Sequence, residues 1–426
     1  MAIEDIDTLV VGAGQAGIAV SEHLTRLKVP HLVVEKNRVA EAWRTARWDS
    51  LVANGPCWHD RFPNRLFQTS DQDAFVPKDE VAQYLCDYAK SFDAPIMTGT
   101  EVYSAQPNEK NAGFTVTTSQ GSFQANRIIA ATGAFQVPSI PSFVPGSAPV
   151  KQIHSHAYKN PGQLEEGAVL VIGAGSSGAQ IAEELNRAGR KVYLSVGAHD
   201  RPPRSYRGRD NVWWLGVLGL WDAAAAKPGA EHVTIAVSGA YGGRTMDFRR
   251  LGHDGVCLLG VAEAYAEGVL KFKDNLKQNI ADGDANYLSM LDEADAYIER
   301  NGLDFPKEPE ARVFPADPEC LKNPKTSLDL VDADIKTIIW ATGYKQDFSW
   351  IKADTFDEHG KPIHQRGVAR VQGIYFLGLP WQSRRGSTFI WGVWHDAKFI
   401  ADQIAIQRAY ASYRPGAGIP GQSTSD

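Results

Sequence analysis

The sequence has few cysteines, and no two of them are close together. Cys57, Cys86, Cys257 and Cys320 form no CxxC pair, no set with the spacing of metal ligands and no disulfide framework. We therefore expect neither a bound metal nor a redox-active cysteine pair.

Long apolar runs and basic clusters are also missing. The most apolar stretch, residues 212–220, is far shorter than the roughly 20 residues that span a bilayer. The formal net charge is −6 and no dense lysine and arginine block occurs, which argues against a nucleic-acid partner. The first residues are acidic and lead straight into a predicted strand, so we expect no signal peptide, no membrane partner and a cytoplasmic location.

A glycine turn near the beginning is the strongest motif. Residues 6–11 predict a buried strand, which passes into Gly12, Gly14 and Gly17 and then into a helix ending near residue 27. Gly12 permits the turn, Gly14 lets the backbone approach a pyrophosphate, and Gly17 lets the helix pack closely on the strand. The next strand ends in Glu35, which can accept hydrogen bonds from a ribose with a free 2′-hydroxyl. The pattern predicts an adenine-dinucleotide site, without choosing FAD over NAD.

The same strand, glycine turn and helix occur again over residues 169–185, with Gly173, Gly175 and Gly178 as the turn glycines. Two dinucleotide sites in one chain imply that two dinucleotides meet there. Because the chain lacks a close cysteine pair, flavoproteins that reduce disulfides are a poor match.

The strand after the second turn ends in Ser195 and not in an acid, and arginines follow it, including Arg201 and Arg204. An acid would repel a 2′-phosphate, whereas a serine with nearby arginines would bind one. This favours NADPH over NADH at the second site. The alternative is that the arginines belong to a solvated loop.

Residues 41–56 predict a structured loop over the first ligand. Arg44 or Arg47 could pair with a pyrophosphate, and Trp43 and Trp48 could wall an isoalloxazine ring. The alternative is that they are surface arginines and core tryptophans.

The remaining elements predict an α/β fold with two Rossmann-like dinucleotide-binding domains, the second inserted in the first. We predict a helix over 76–92, an antiparallel meander over 100–125, and a strand over 335–340 that returns the chain to the first domain. A final helix from about residue 392 should direct its positive end at a flavin's pyrimidine edge. The expected units are an FAD domain (1–160 and 326–412), an NADPH domain with a helical insertion (161–325) and a disordered tail (413–426).

Both glycine turns, the two Ala-Thr-Gly strand ends and the linker 153–161 together resemble the class B flavin monooxygenases. His154, Ser155 and Tyr158 are similar to the histidine-serine-x-x-tyrosine end of that family's fingerprint. The resemblance implies FAD at the first site, NADPH at the second, and transfer of one oxygen atom from O2 to a small-molecule substrate through a hydroperoxyflavin. It also implies a homodimer.

The chain departs from the family pattern at two places. Val150 stands where the fingerprint has a glycine, and Tyr158-Lys159 replaces the tryptophan-proline or tryptophan-aspartate of Baeyer–Villiger enzymes. This favours oxygen transfer to nitrogen, sulfur or electron-rich carbon over insertion beside a ketone. Alternatives are an FAD-dependent oxidoreductase without oxygenation and a non-enzymatic flavoprotein.

Two residues are candidates for catalytic roles. Asn54 is similar to a family asparagine near the flavin's reactive edge, the alternative being a turn asparagine before Gly55. For His154, an orienting role in the linker is preferred over acid–base catalysis. The residues expected to contact the two cofactors are Gly12, Gly14, Gln15, Ala16, Gly17, Glu35, Lys36, Trp43, Arg44, Leu51, Val102, Ala131, Thr132, Gly133, Gly173, Gly175, Ser176, Ser177, Gly178, Ser195, Arg201, Arg204, Ala341, Thr342, Gly343, Tyr344 and Gly378.

Overall fold

The computed structural model describes residues 3–109, 112–224 and 234–414. The tail expected to be disordered therefore lies almost entirely outside the described residues. The helices are α1 (Gln15–Arg26), α2 (Glu41–Thr45), α3 (Lys78–Lys90), α4 (Ser176–Arg187), α5 (Asn211–Val217), α6 (Phe248–His253), α7 (Leu276–Asn301), α8 (Glu319–Lys322) and α9 (Ile390–Ser412).

The strands fall into two main sheets and several small ones. They are β1 (Ile3–Val11), β2 (His31–Val34), β3 (Ile96–Met97), β4 (Val102–Pro107), β5 (Phe114–Thr118), β6 (Gly121–Ala130), β7 (Val137–Pro138), β8 (Lys151–His154), β9 (Ala168–Ile172), β10 (Val192–Ser195), β11 (Ser205–Tyr206), β12 (Arg209–Asp210), β13 (Cys257–Leu259), β14 (Ala262–Ala266), β15 (Val269–Phe272), β16 (Ser327–Asp329), β17 (Ile335–Trp340), β18 (Tyr344–Lys345), β19 (His364–Gln365), β20 (Val368–Ala369) and β21 (Ile374–Phe376).

The first sheet has the order β19-β20-β21-β6-β1-β2-β3, with β5 and β4 added along β6. The first half of β6 pairs antiparallel with β5, and nearly all of β6 pairs parallel with β1, so the predicted meander and the buried strand after it share one long strand. α1 packs on α9, and their apolar faces form one core with α3. The predicted helix over 76–92 and the predicted meander are confirmed.

The second sheet has the order β13-β10-β9-β17-β8 and is parallel throughout. β9 is buried at every position, as its run of β-branched and aliphatic residues predicts. α4 and α6 cover one face of this sheet. The three-stranded antiparallel sheet β14-β15-β16 covers the other face.

The predicted return of the chain at residues 335–340 is wrong. β17 pairs with β9 on one side and with β8 on the other, so this strand completes the second sheet. The sequence of β17 is apolar enough for the centre of either sheet, and periodicity does not reveal which partner it takes. The expected boundaries near residues 160 and 326 therefore exclude β8 and β17 from the sheet to which they belong.

α7 is rich in charged residues and nevertheless has one buried face. Tyr287, Leu291, Ala294 and Ile298 lie on one buried face, which packs with Trp214 of α5. Among the described residues, no helix is both long and apolar enough to cross a membrane.

Candidate functional site

The first glycine turn is shaped by two close backbone approaches. Gly12 has φ +108°, and a Cβ atom on it would lie 2.5 Å from the carbonyl oxygen of Ala131. A Cβ on Gly17 would lie 1.8 Å from the carbonyl oxygen of Gly12. Both positions therefore require glycine, for the reasons that the sequence predicted.

The N-terminus of α1 is open. A Cβ on Gly14 would meet no described atom within 4 Å, and no side chain caps the helix at this position. The first backbone N–H groups of α1 are thus available to an anion, which the positive end of the helix dipole also favours. Among the described residues, the turn has the features of a pyrophosphate cradle.

Glu35 holds the turn in place. One carboxylate oxygen accepts a hydrogen bond from the Ala13 N–H (2.9 Å) and the other from the Asn37 N–H (2.9 Å). Each oxygen retains acceptor capacity, and the residue is only half-buried, so a ribose hydroxyl can still donate to it. Lys36 beside it is exposed.

A short chain of hydrogen bonds links this turn to the N-terminus of α9. The indole of Trp43 donates to the Gln15 side-chain oxygen (3.1 Å), and the Gln15 amide donates to the carbonyl of Thr388 (2.6 Å). Gly378 lies beside them, with a Cβ position 3.2 Å from Ala16. Four of the residues predicted to contact a flavin are thus brought together at the start of a long helix with no acidic residue in its first turn.

Other residues of the predicted loop face elsewhere. The Arg44 guanidinium donates to the Cys86 thiol (3.4 Å) and lines a pocket of about 480 Å³ beside α3. Trp48 and Leu51 are buried in the core of the second sheet, so the alternative of a core tryptophan holds for Trp48. Val102 pairs within the meander.

The second glycine turn repeats the backbone of the first. Gly173 has φ +104°, with a Cβ position 2.5 Å from the carbonyl oxygen of Ala341. A Cβ on Gly178 would lie 1.8 Å from the carbonyl oxygen of Gly173. Ala341, at the end of β17, thus plays the part that Ala131 plays at the end of β6.

The two Ala-Thr-Gly strand ends are tied together by residues 136–139. Gln136 donates to the Thr132 hydroxyl (3.0 Å) and to the Gly133 carbonyl (2.8 Å), while Thr342 donates to the Ser139 carbonyl (2.5 Å). Side-chain hydrogen bonds to residues 136–139 therefore connect the two strand ends.

The second turn, however, is covered by residues 234–239, which we call the covering segment. The Ile235 carbonyl accepts hydrogen bonds from the Ser176 N–H and hydroxyl, both at 2.7 Å. The Val237 carbonyl accepts from the Gln180 amide (2.8 Å), and Thr234 lies 3.2 Å from a Cβ position on Gly175. In this conformation the turn does not fit a dinucleotide, because a protein carbonyl takes the amide that a pyrophosphate would meet.

The residues predicted to select NADPH are engaged in the protein interior. The Ser195 hydroxyl donates to the Gly260 carbonyl (2.8 Å), and the residue is 2% exposed. Arg201 is buried and bonds Asp284 (2.7 Å), and Arg204 is buried and bonds Asp210. Each of the three side chains thus has a structural partner in this conformation, although the Nε atom of Arg204 has no hydrogen-bond partner among the described residues. These contacts do not support the prediction that the three side chains bind a 2′-phosphate.

Asn54 is hydrogen-bonded to α4 and to Arg204. Its side-chain oxygen accepts a hydrogen bond from Gln180 of α4 (3.0 Å), and its carbonyl accepts one from Arg204 (2.6 Å). The neighbouring Ala53 carbonyl is 2.1 Å from a Cβ position on Gly239, so the covering segment packs tightly here. Asn54 thus connects its loop to α4 and to Arg204 and is more than a local turn residue.

His154 ends the edge strand β8, and both of its ring nitrogens are used. Nε2 donates to the Gly343 carbonyl (2.9 Å), and Nδ1 accepts from the His156 N–H (3.1 Å). Burial lowers the pKa of His154 from its usual range, which favours this neutral form. The ring packs edge-on against Tyr344, so the geometry supports the orienting role over acid–base catalysis.

Sequence reasoning missed the pair His59–Asp60, which follows Asn54 by a few residues. His59 Nδ1 is 2.8 Å from Asp60, whose other oxygen accepts from the Gly55 N–H (2.9 Å). The available signal was a histidine and an aspartate in succession just after the predicted ligand loop. The covering segment left no signal in the sequence.

An open glycine turn with an acid beside it, a second turn of the same build, and a linker histidine between them define a class B flavin-monooxygenase-like protein. Residues 9–209 match the family described as pyridine nucleotide-disulphide oxidoreductase. The chain belongs to the CzcO-like oxidoreductases, as a relative of more than 30% identity over nearly its whole length shows.

The chain is 36% identical to an uncharacterized CzcO-like oxidoreductase of Geobacillus kaustophilus, over 94% of this chain and 98% of that one. It is 24% identical to a probable indole-3-pyruvate monooxygenase, YUCCA4, of Arabidopsis thaliana, over 94% and 90% of the two chains. A flavin-containing monooxygenase from Stenotrophomonas maltophilia has the same fold, with a TM-score of 0.65, 17% identity and coverage of 96% and 100%.

Proposed function

We propose that the protein is an FAD- and NADPH-dependent monooxygenase that transfers one oxygen atom from O2 to nitrogen, sulfur or electron-rich carbon of a small organic substrate. The observation that carries this proposal is the pair of glycine turns, each of which joins a buried parallel strand to a helix with the same close backbone approaches. Two such sites support a reaction in which electrons pass from one dinucleotide to the other. We further propose that the enzyme acts in the cytoplasm as a homodimer.

FAD fits the first turn. The N–H groups at the start of α1 would receive its pyrophosphate, Glu35 its ribose, and the N-terminus of α9 its pyrimidine edge. When bound, the flavin supplies two-electron redox chemistry and the reaction with oxygen. The protein's own contribution is to orient the ligands through Gln15 and Asn54 and to exclude water.

NADPH would use the second turn after the covering segment has left the N-terminus of α4. The choice of NADPH over NADH rests on the family resemblance, since Ser195, Arg201 and Arg204 are engaged elsewhere. We also propose that each of the two main sheets is the centre of one dinucleotide-binding domain.

The test is to supply the purified, FAD-loaded protein with NADPH, isotopically labelled oxygen gas and a panel of thioethers, tertiary amines and phenols. We expect one labelled oxygen atom in a product for each NADPH consumed. If NADPH is oxidised across the panel and the oxygen appears only as hydrogen peroxide or water, the oxidoreductase without oxygenation replaces this proposal.

A further inference from the structure

The pair His59–Asp60 takes no part in the cofactor contacts proposed above. Pro56 accepts backbone hydrogen bonds from His59 and from Asp60 (both 2.9 Å), which fixes both residues in a tight turn. Asp60 connects the His59 ring to the Gly55 N–H and so to the residue after Asn54. The pair is thus held in place directly after Asn54 and Gly55.

The second ring nitrogen of His59 is unused. His59 is only 6% exposed, and its Nε2 atom has no hydrogen-bond partner among the described residues. In the tautomer whose Nδ1 donates its only ring proton to the Asp60 carboxylate, Nε2 is a bare acceptor. A buried acceptor aligned in this way is suited to a ligand that donates a hydrogen bond.

Three tryptophans pack against the His59 ring. The His59 ring stacks on Trp221 (centroids 5.0 Å apart, planes at 24°) and on Trp391 (5.7 Å, 27°), and Trp58 meets it edge-on (5.5 Å). Trp221 is buried, whereas Trp58 and Trp391 are half-buried, so the cluster reaches the surface on one side. Trp391 belongs to the first turn of α9, where the flavin's pyrimidine edge is proposed to lie.

We propose that His59 and these three tryptophans recognise an aromatic substrate that carries an O–H or N–H donor. The tryptophans supply flat faces for a planar ring, and Nε2 accepts the hydrogen bond from its substituent. A donor that is hydrogen-bonded in this way makes its ring richer in electrons, which suits the electrophilic oxygen transfer proposed above. The inference specifies the substrate class of that proposed function and rests on it.

Calorimetric titration of the FAD-loaded protein with phenol and with anisole tests this site. The two probes share one ring, and only phenol has a donor. We expect phenol to bind about 10-fold more tightly, the value of one hydrogen bond. Equal affinities would overturn the inference, because Nε2 would then be satisfied by water alone.

Substitution of His59 tests whether its Nε2 atom accepts the hydrogen bond from phenol. In His59→Phe the ring remains but the acceptor is lost, so the preference for phenol should fall below about 2-fold. His359→Phe, at an exposed loop histidine, makes the same change elsewhere and should keep the full preference. A preference that survives in His59→Phe would overturn the inference.

Asp60→Asn provides a second route if His59→Phe does not fold. Its amide oxygen can still accept from Gly55, and its NH2 group then donates to Nδ1 and moves the ring proton to Nε2. We expect the preference for phenol to disappear while the flavin content stays unchanged; a retained preference contradicts the inference. Because the titrations need no NADPH and no oxygen, they remain informative even if no product is oxygenated.

Discussion

The two glycine turns have the same backbone and different surroundings. Gly12 and Gly173 each have a Cβ position 2.5 Å from a neighbouring strand's carbonyl, and Gly17 and Gly178 each have one at 1.8 Å. At the helix N-terminus they differ, because no described atom lies within 4 Å of a Cβ on Gly14, whereas Gly175 lies beneath the covering segment. The glycine pattern thus determines how the strand joins the helix. Access for a ligand depends on a segment that is distant in the sequence.

The largest effect should come from substitutions at the glycines that have the same close backbone contact in both turns. Gly17→Ala and Gly178→Ala each place a methyl group inside a backbone carbonyl's radius, so the helix must move off its strand. We expect each to lower the free energy of unfolding by more than about 4 kcal/mol or to prevent folding. Urea unfolding of both variants measures this.

The control is Gly216→Ala in α5, where a Cβ would meet no described atom within 4 Å and which should be tolerated. If Gly178→Ala were mild while Gly17→Ala was severe, the two joints would not be structurally equivalent.

A second prediction concerns the arginine that sequence reasoning assigned to a 2′-phosphate. Arg201→Leu leaves Asp284 buried with Arg249 as its remaining ion-pair partner, and it removes a cation from the faces of Tyr287 and Phe314. We expect a loss of about 3 kcal/mol of unfolding free energy and an unchanged ratio of NADPH to NADH affinity.

Unfolding in urea and the affinities of NADP⁺ and NAD⁺ are the two measurements. Arg209→Leu, whose exposed side chain lies over Trp213 and Phe305, serves as the comparison and should cost much less. A selective loss of NADP⁺ affinity in Arg201→Leu would restore the original assignment.

The sequence predicted the local parts of the site well and its long-range parts poorly. The two glycine turns, Glu35 and the start of α9 follow from residues adjacent in the chain, where periodicity and glycine chemistry carry the information. The partner of β17, the contact of Ile235 with Ser176 and the engagement of Arg201 depend on residues tens of positions apart. A buried arginine has the same sequence signature as a phosphate-binding one, and only the fold separates them.

The third prediction uses the position where the turns differ. Gly14→Ala fills open space at the proposed pyrophosphate position, so FAD affinity should fall about 10-fold with little change in stability. Gly175→Ala instead brings a methyl group 3.2 Å from Thr234, so FAD affinity should stay the same and stability should fall slightly. Both glycines have a negative φ, so neither substitution by alanine introduces backbone strain.

Titration of the flavin-free proteins with FAD, together with urea unfolding, gives both numbers. If Gly14→Ala bound FAD as tightly as the parent protein, the first turn would not be the pyrophosphate cradle.

The smallest effect should come from loosening the covering segment. Gln180 donates to the Val237 carbonyl and to Asn54, so Gln180→Leu weakens the hold of α4 on the segment without touching the first turn. If the segment competes with the dinucleotide, its release raises the fraction of protein able to bind, and NADP⁺ affinity should increase about 3-fold. Gln83→Leu, at an exposed glutamine of α3, should leave the affinity unchanged. An unchanged or weaker NADP⁺ affinity in Gln180→Leu would mean that the covering segment belongs to the binding surface and does not compete for it.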